Sequence, residues 1–474
     1  MKQIQVHNIQ IPSEFDGLDT FIVGGFVRDK IRGVKSEDVD LMVAGVSPGE
    51  LVERGFKLHV GGSTPDKMTS NEVQQLAIDA AKRGELMETL NEIIEETVFP
   101  VFIDSLGREV ALPRTEERSQ DSSISGENAH KDFQVSVVDS NVESREALRI
   151  DSERRDLTIN SMAADARTGE VIDHHNGIED LQNGIIRHVS PAFAEDPLRV
   201  IRAARFSARI EGSSINDETK ELMRELASEL DQIPNERFQK ELIKVFKQSS
   251  KPSQFFEVLV EVNALEVAFP NIAAMRNVPA GPEGTHKEGD VFTHTMMVID
   301  HMAELRPSDT NALLAALVHD IGKIETNESE LPHHHKHTKT GVDVIQRIQR
   351  RLNISNDQFK VMKSAVKHHM KLHDIDQLNE STILDIVTES FLSVDQLVAL
   401  GIADAKGKIP QGEFNDELAH GRLNNAKEAI NKVNGRESLA QRGLKPCDVG
   451  EEIPGERVSN LVRQDRIELM REQY

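Results

Sequence analysis

A single cysteine, Cys447, stands in 474 residues, which leaves no partner for an intramolecular disulfide and too few thiolates for a Cys-rich zinc site. Any metal must be held by His, Asp or Glu. No apolar run approaches the roughly eighteen residues of a membrane span, and the N-terminal stretch MKQIQVHNIQIPSEFDG lacks the apolar core of a signal peptide. A cytoplasmic protein with no membrane partner is expected. Internal repeats are missing as well. Basic charge is short: 56 Lys and Arg against 80 Asp and Glu give a net charge of −24. That balance opposes a nucleic-acid partner, whose phosphates are met by Lys and Arg, unless local basic patches lie within the total. The remaining composition, 38% hydrophobic and 29% charged, fits a soluble globular chain. The length leaves room for about three domains.

What the sequence does contain begins at Phe21, in FIVGGFVRDKIRGVKSEDVDLMV. Phe21 to Val23 reads as a short strand, Gly24 and Gly25 as a tight turn, and Phe26 to Ile31 as the opening of a helix. Such a turn lets backbone N–H groups approach a triphosphate, and Arg28 in the first helical turn can add a forked cationic contact. Asp38 and Asp40 stand two apart in a strand-like run, so both carboxylates project from one face. Paired carboxylates can hold two magnesium ions about 3.5 to 4 Å apart. A glycine turn or a DxD alone is ordinary structure; the two within one short block point to nucleotidyl transfer. Glu109, in another strand-like run, could lie beside the Asp38 strand as a third carboxylate, or be an exposed strand acid.

The basic patch is PLRVIRAARFSARI, from Pro197 to Ile210. As a helix it gathers Arg199, Arg202, Arg205 and Arg209 within a sector of about 120°, a face that calls for an anionic partner. Just ahead of it, Asp196 reads either as a helix cap before Pro197 or, with Arg199, as an acceptor and donor presented to one nucleobase edge. Arg154, Arg155 and Asp156 open RRDLTINSM before an apparent helix. Two readings stand there: a phosphate clamp with Asp156 fixing one guanidinium, or a capping and salt-bridge cluster.

Histidines gather later in the chain: His294, the doublet His319 and Asp320 in AALVHDIGK, His337, His369, and with them Asp404 in IADAKGK. Nitrogen and oxygen ligands spread over successive helices suit a divalent transition metal or magnesium. The doublet in an apolar helix strengthens that reading, because burying a carboxylate beside an imidazole is costly without a metal or partner. The run His333 to His335 has polar neighbours and reads as an exposed loop.

Residues 1 to about 165 mix strands, glycine turns and helices. Within them Ser70 to Thr97 is helical by period, with Val73, Leu76, Ala77, Ala80, Leu86, Leu90, Ile93 and Ile94 on the apolar steps. Val98 to Ile103 and Glu109 to Leu112 return to strand character, and Ser119 to Asp132 reads as a polar loop. From about 195 helical periodicity dominates, and NVPAGPEGTHKEGD at 277 to 290 is the best candidate linker or domain boundary.

With VGGFVRD, DVD, RRDLTIN and EDPLRVIRAAR in this order, the chain resembles the bacterial class II tRNA nucleotidyltransferases, the CCA-adding enzymes. The HDIGK cluster makes it similar to the multifunctional type with an HD phosphohydrolase domain. The resemblance runs from about residue 20 to near the C-terminus. It implies an α/β polymerase-β-like head over 1–165, from which this chain departs by what reads as a helical insertion near 63–96. All-α regions would follow: a neck and body over 166–280 for nucleotide selection and RNA binding, an HD domain over 281–410 and a tail over 411–474. It implies template-independent addition of CCA to the tRNA 3′ end from CTP and ATP, by a monomer or homodimer. Catalysis and magnesium would rest on Asp38 and Asp40. Nucleotide contacts would come from Gly25, Arg28, Arg155, Arg202 and Arg205, with Gly24 and Arg154 as weaker matches. Asp196 and Arg199 match the pair that stands in for a template base. His294, His319, Asp320 and Asp404 match a metal site, nickel among its candidate ions, that hydrolyses 2′,3′-cyclic and 2′-phosphates and acts as a phosphatase in relatives; His337 and His369 match it less closely. The rival readings are a poly(A) polymerase, a partial enzyme adding only CC or only A, and an HD phosphohydrolase whose head merely binds RNA.

Overall fold

The computed structural model describes residues 6, 9–36, 38–59, 70–86, 88–89, 101–118, 133–432 and 455–472. The chain divides into two compact units, Met1–Arg237 with Val262–Ala264, and Phe238–Glu261 with Leu265–Tyr474.

The first unit is α/β. In chain order it contains β1 (Asp19–Val23), α1 (Gly25–Ile31), β2 (Asp40–Ala44), α2 (Pro48–Glu53), β3 (Lys57–His59), α3 (Ser70–Arg83), β4 (Val101–Ile103) and β5 (Glu109–Ala111). Then come β6 (Arg114–Arg118), β7 (Phe133–Val137), α4 (Ser144–Glu153), α5 (Thr158–Ser161), β8 (Ala163–Asp165), β9 (Val171–Ile172), α6 (Gly177–Asn183), β10 (Ile185–Ile186), α7 (Leu198–Arg209), β11 (Ser214–Ile215) and α8 (Asp217–Leu226). Seven strands form one mixed sheet in the order β3-β4-β5-β2-β1-β8-β9. Only β2 and β5 run parallel in it. Near-continuous apolar strands such as FIV and LMV require cover on both faces. On one face Phe21, Val23, Met42, Ala44, Ala163 and Ile172 pack with Ala147 and Leu148 of α4. The sheet is completed by β9, six residues beyond the boundary expected near 165.

The expected helical passage is present as α3, which ends at Arg83 ahead of Gly84. Its Ala77 and Ala80 are buried, as is Leu86, whereas Leu76, expected on the same face, is 39% exposed. A Cβ on Gly49 of α2 would lie 2.5 Å from the Ala81 carbonyl oxygen, so the glycine is what lets α2 and α3 touch. Leu90, Ile93, Ile94 and the expected loop 119–132 fall outside the described residues.

In the second unit every regular element among the described residues is a helix: α9 (Asn235–Gln248, whose first turn belongs to the first unit), α10 (Ser253–Glu261), α11 (Leu265–Ala268), α12 (Pro270–Ala273), α13 (Val291–Leu305), α14 (Thr310–Val318), α15 (His337–Leu352), α16 (Asn356–His373), α17 (Glu380–Glu389), α18 (Val394–Lys406), α19 (Asp416–Lys432) and α20 (Gly455–Glu472). Side chains set the helix starts. Asp290 and Asp309 cap α13 and α14, and capping boxes open α16 (Ser355 with Gln358) and α18 (Ser393 with Gln396). The sequence TNALLAALV of α14 is apolar all round because the helix is central: seven of its nine residues are buried. No single helix among the described residues is long and apolar enough to cross a membrane.

The passage 277–290 is not a linker. Ala280 and Gly289 bond through their backbones, Lys287 N–H donates to the Ile409 carbonyl, and Lys323 Nζ donates to the Ala280 carbonyl at 2.7 Å. Proline and glycine shape a fixed wall here, and turn residues read the same in either role.

Candidate functional site

Each unit brings ionisable side chains of the expected site together, and in the second unit these form candidate metal-binding groups. In the first, Val23 pairs with Asp40 across β1 and β2, so Asp40 opens β2 where β1 gives way to the glycine turn. The parallel register of β5, with Val110 opposite Leu41, brings Glu109 level with Asp40 and onto its face. Asp38 lies exposed just ahead of β2. The expected DxD strand thus starts at its second aspartate. Burial first, then repulsion from Asp38 and Glu109, raises the Asp40 carboxyl above its ordinary range, against the pull of Arg155. Carboxylates crowded in this way fit a divalent oxygen-loving cation, which removes their mutual repulsion.

Gly24 has φ +71°, and a Cβ there would stand 3.4 Å from Arg155 Nη1 and 4.0 Å from Asp40 Oδ2. Glycine therefore satisfies the backbone and leaves the gap between arginine and aspartate open. Arg155 is held in place by Asp151, whose Oδ2 accepts from Nε and Nη2 at 3.1 and 3.0 Å.

The second cluster is built from helix ends. His294 sits in the first turn of α13, His319 and Asp320 follow α14, His337 starts α15, His369 lies near the end of α16, and Asp404 lies in the last turn of α18. The doublet is thus at the end of its apolar helix rather than within it. Gly322 makes the next step possible, because a Cβ there would strike the His337 carbonyl oxygen at 1.9 Å.

All four imidazoles are oriented alike. Nδ1 of His294, His319, His337 and His369 bonds to the carbonyls of Gly407, Ala316, His334 and Ala365, at 3.1, 2.8, 2.7 and 3.1 Å. With each Nδ1–H donated to a carbonyl, each Nε2 carries a lone pair toward the centre. There His294 Nε2 is 3.2 Å from both His319 Nε2 and Asp404 Oδ1. His337 Nε2 is 3.1 Å from His369 Nε2, and the two lie 3.4 and 3.2 Å from Asp320 Oδ1. Cis ligands about 2.1 Å from one ion stand about 3 Å apart. Three candidate groups of ligand atoms occur among the described residues: one joins His294 to His286 and Glu288, and two centre here, His294 with His319 and Asp404, and Asp320 with His337 and His369. Asp320 Oδ2 also lies 3.5 and 3.6 Å from His319 and His294, so this carboxylate faces both groups. Its Oδ1 is buried and accepts no hydrogen bond among the described residues. Lone pairs and carboxylates meeting in a buried centre fit one or two divalent ions.

Three family models match the chain: the Poly A polymerase head domain over 57–187, the model described as "Probable RNA and SrmB- binding site of polymerase A" over 212–276, and the HD domain over 291–389. The full chain also superposes on solved structures. The CCA-adding enzyme of Bacillus stearothermophilus in complex with CTP matches at TM-score 0.57 and 18% identity, covering 98% of this chain and 94% of that one. The fold is that of the CCA-adding enzymes. A CCA-adding enzyme with CTP (TM-score 0.56, 17% identity, 96% and 88% covered) and that of Thermotoga maritima complexed with tRNA (0.54, 16%, 97% and 92%) agree. The head match begins after the glycine turn and Asp40, and the HD match stops before Asp404.

Within this CCA-adding fold several sequence-expected groups lie differently. Arg28 is buried under the turn, with its guanidinium on Asp29 at 3.0 Å, on Asn160 and over the Phe206 ring. Burial, with Arg209 nearby, lowers its pKa to about 10. The arginine face of α7 meets internal partners rather than solvent: Arg199 donates to the Ala192 and Arg154 carbonyls at 2.6 Å, Arg205 lies 4.1 Å from the Phe206 centroid, and Arg209 pairs with Asp29. Asp196 caps Leu198 N–H and pairs with Arg237 at 2.7 Å, a residue that carried no sequence signal. Arg154 and Arg155 follow the end of α4 and share Asp151, and Arg154 also pairs with Glu116. Asp156 fixes Arg202, at 2.6 Å, whereas Arg154 and Arg155 pair with Asp151. Of the run His333 to His335, the middle residue is half-buried, bonded to Thr326 and the Pro279 carbonyl.

Although burial opposes its charge, Arg202 and Asn160 hold the Asp156 carboxyl down to about 2. A depressed carboxyl contributes stability that is full above its unfolded pKa of about 3.9 and fades as pH falls through the folded value. Asp156→Asn is expected to cost about 2 kcal/mol at neutral pH and roughly half of that near pH 3. Urea unfolding at both pH values measures this, and equal deficits would contradict it.

Proposed function

We propose that this chain adds the 3′-terminal CCA of tRNA from CTP and ATP without a template, and that its histidine centre hydrolyses phosphoesters, with 2′,3′-cyclic and 2′-phosphates as substrates. The observation that carries the reading is the convergence of Asp40, Glu109 and Arg155 beside the Gly24 turn in a CCA-adding fold. Asp38 and Asp40, with Glu109, would hold magnesium, which when bound activates the primer 3′-hydroxyl and offsets charge on the leaving pyrophosphate. Gly24 and Gly25 leave space for the triphosphate, and Arg155 meets it with a fixed guanidinium. Arg28, Arg202 and Arg205, grouped around Phe206, supply positive potential behind the turn in an otherwise acidic chain.

Cytosine and adenine both present a donor amine beside a ring acceptor, whereas uracil and guanine present the opposite pattern. Asp196 would accept from the amine and Arg199 donate to the ring nitrogen, after releasing its two carbonyls. Arg237 is the alternative donor, because it already touches Asp196. Each such charge-assisted bond is worth about 1.5 to 3 kcal/mol. Loss of CTP over UTP preference by roughly tenfold or more in Arg199→Ala, with Arg237→Ala unchanged, would assign the donor; the reverse would reassign it.

In the histidine centre, His294, His319, Asp320, His337, His369 and Asp404 would hold divalent ions such as nickel, which when bound supply an activated water and polarise the phosphate. Lys323, 2.7 Å from Asp320 Oδ2, and Lys408 line a cavity of about 210 Å³ over this centre and suit it to an anion. Supplying tRNAs that end before CCA, after C and after CC with CTP and ATP, separately and together, and sequencing the new ends tests the first half. Exactly completed CCA ends are expected. An adenylate ladder running past three nucleotides would make the protein a poly(A) polymerase instead.

A further inference from the structure

The wall formed by residues 277–290 contributes a histidine outside the six ligands assigned above, one that forms a candidate group of its own with Glu288 and His294. His286 lines the same cavity as Asp320, Lys323 and Asp404. Its Nδ1 lies 2.6 Å from Glu288 Oε1, and the Glu288 side chain is fully enclosed. Glu288 is itself fixed: Oε2 accepts the Ile409 N–H at 2.8 Å, and Oε1 stands 3.5 Å from Nδ1 of His294. With Nδ1–H committed to this carboxylate, Nε2 is the ring atom left for the cavity. The ring also has a prepared seat. A Cβ on Gly281 would fall 2.3 Å from His286 Cδ2 and 2.9 Å from Nε2, so only glycine leaves room for the imidazole where it lies. Lys323 is differently placed, its ammonium tied to Asp320 and to the Ala280 carbonyl, both at 2.7 Å.

We infer that His286 is the general acid of the hydrolytic centre, donating its Nε2 proton to the leaving oxygen of the phosphoester, and that Glu288 is its positioning residue. The inference rests on the hydrolase reading of this centre. In the step, a water oxygen forms a bond to phosphorus while the bond from phosphorus to the ribose oxygen breaks. The electron pair of that bond goes to the ribose oxygen, which takes the proton from Nε2. The proton lost by the attacking water passes to solvent, and the imidazole recovers one from solvent before the next turnover. Burial lowers the His286 pKa, and the Glu288 carboxylate opposes it; hydrogen-bonded to the far nitrogen, that carboxylate keeps the ring in the orientation this transfer requires and favours the imidazolium that donates from Nε2.

A ribose hydroxyl leaves poorly without a proton, whereas nitrophenolate leaves readily as the anion, and that difference supplies the test. The full-length, metal-loaded protein is assayed on cytidine 2′,3′-cyclic phosphate and on bis-(para-nitrophenyl) phosphate, with metal per chain measured by elemental analysis. His286→Ala is expected to lower kcat at least about 100-fold on the cyclic nucleotide and only a few fold on the nitrophenyl ester, with metal content equal to wild type. Gly281→Ala, which displaces the ring, and Glu288→Gln, which removes its charged anchor, are expected to shift the ratio of the two rates in the same direction by smaller factors. Equal losses on both esters, or loss of metal in His286→Ala, would overturn the assignment while leaving the hydrolase reading intact. A wild-type protein that hydrolyses neither ester would overturn both.

Discussion

Asparagine in place of Asp40 is expected to reduce incorporation of CTP and ATP into tRNA by at least about 10³-fold while hydrolysis of 2′,3′-cyclic phosphate stays near the wild-type rate. The size follows from position. Asp40 is the carboxylate on which Asp38, Glu109 and Arg155 all act, and it lies 4.0 Å from the space that Gly24 leaves open. Removing its charge deprives a bound cation of its central ligand, whereas Asp38 on the exposed approach to β2 has water to replace it. Asp38→Asn is therefore expected to be the milder variant of the two. Radiolabelled incorporation and cyclic-phosphate hydrolysis measured on the same preparation decide the matter. Loss of both activities in a folded Asp40→Asn protein would refute the assignment of the two reactions to separate centres.

The second large effect belongs to Asp320. Alanine there is expected to abolish hydrolysis, again by at least about 10³-fold, and to remove metal from both groups of ligands, since the two carboxylate oxygens face different histidine pairs. His337→Ala touches only one group and is expected to lose only that group's ion. Elemental analysis of the two variants beside the wild type gives the count. Equal metal loss in both would mean that a single ion occupies the centre, and nucleotide addition unaffected by either variant is part of the same expectation.

Much of this was legible in the chain, and the misreadings have a common physical origin. Local features survived: the glycine turn, the apolar strands flanking it, the helix of arginines and the six side chains that gather in the histidine centre are written in contiguous residue types and short spacings. Partnerships did not survive so well, because they depend on which distant segment comes alongside. The parallel register that sets Glu109 level with Asp40 joins strands between which α2, β3, α3 and β4 intervene. The arginine face of α7 was recognisable by its period, yet its anions turned out to be Asp29 and Asp156, more than forty residues away in the chain for either one. Residues 277–290 were misread for a different reason. Proline and glycine signal a chain that leaves regular structure, and they do so whether it wanders into solvent or is folded against a cavity. His286 and Glu288 were hidden inside that ambiguity, as was His334 inside a polar run.

The histidine centre also bears on how the second unit holds together. Its ligands are drawn from five separate helix ends, and His294 and Asp404 are separated by about a hundred residues of chain, a span over which loop closure carries a substantial entropic cost. An ion bound there would act as a cross-link, restricting the unfolded chain in the way a disulfide does. For a protein whose lone Cys447 can form no internal bridge, the cation would take the place of the missing covalent staple, and chelation would loosen the helical unit as reduction loosens a secreted domain.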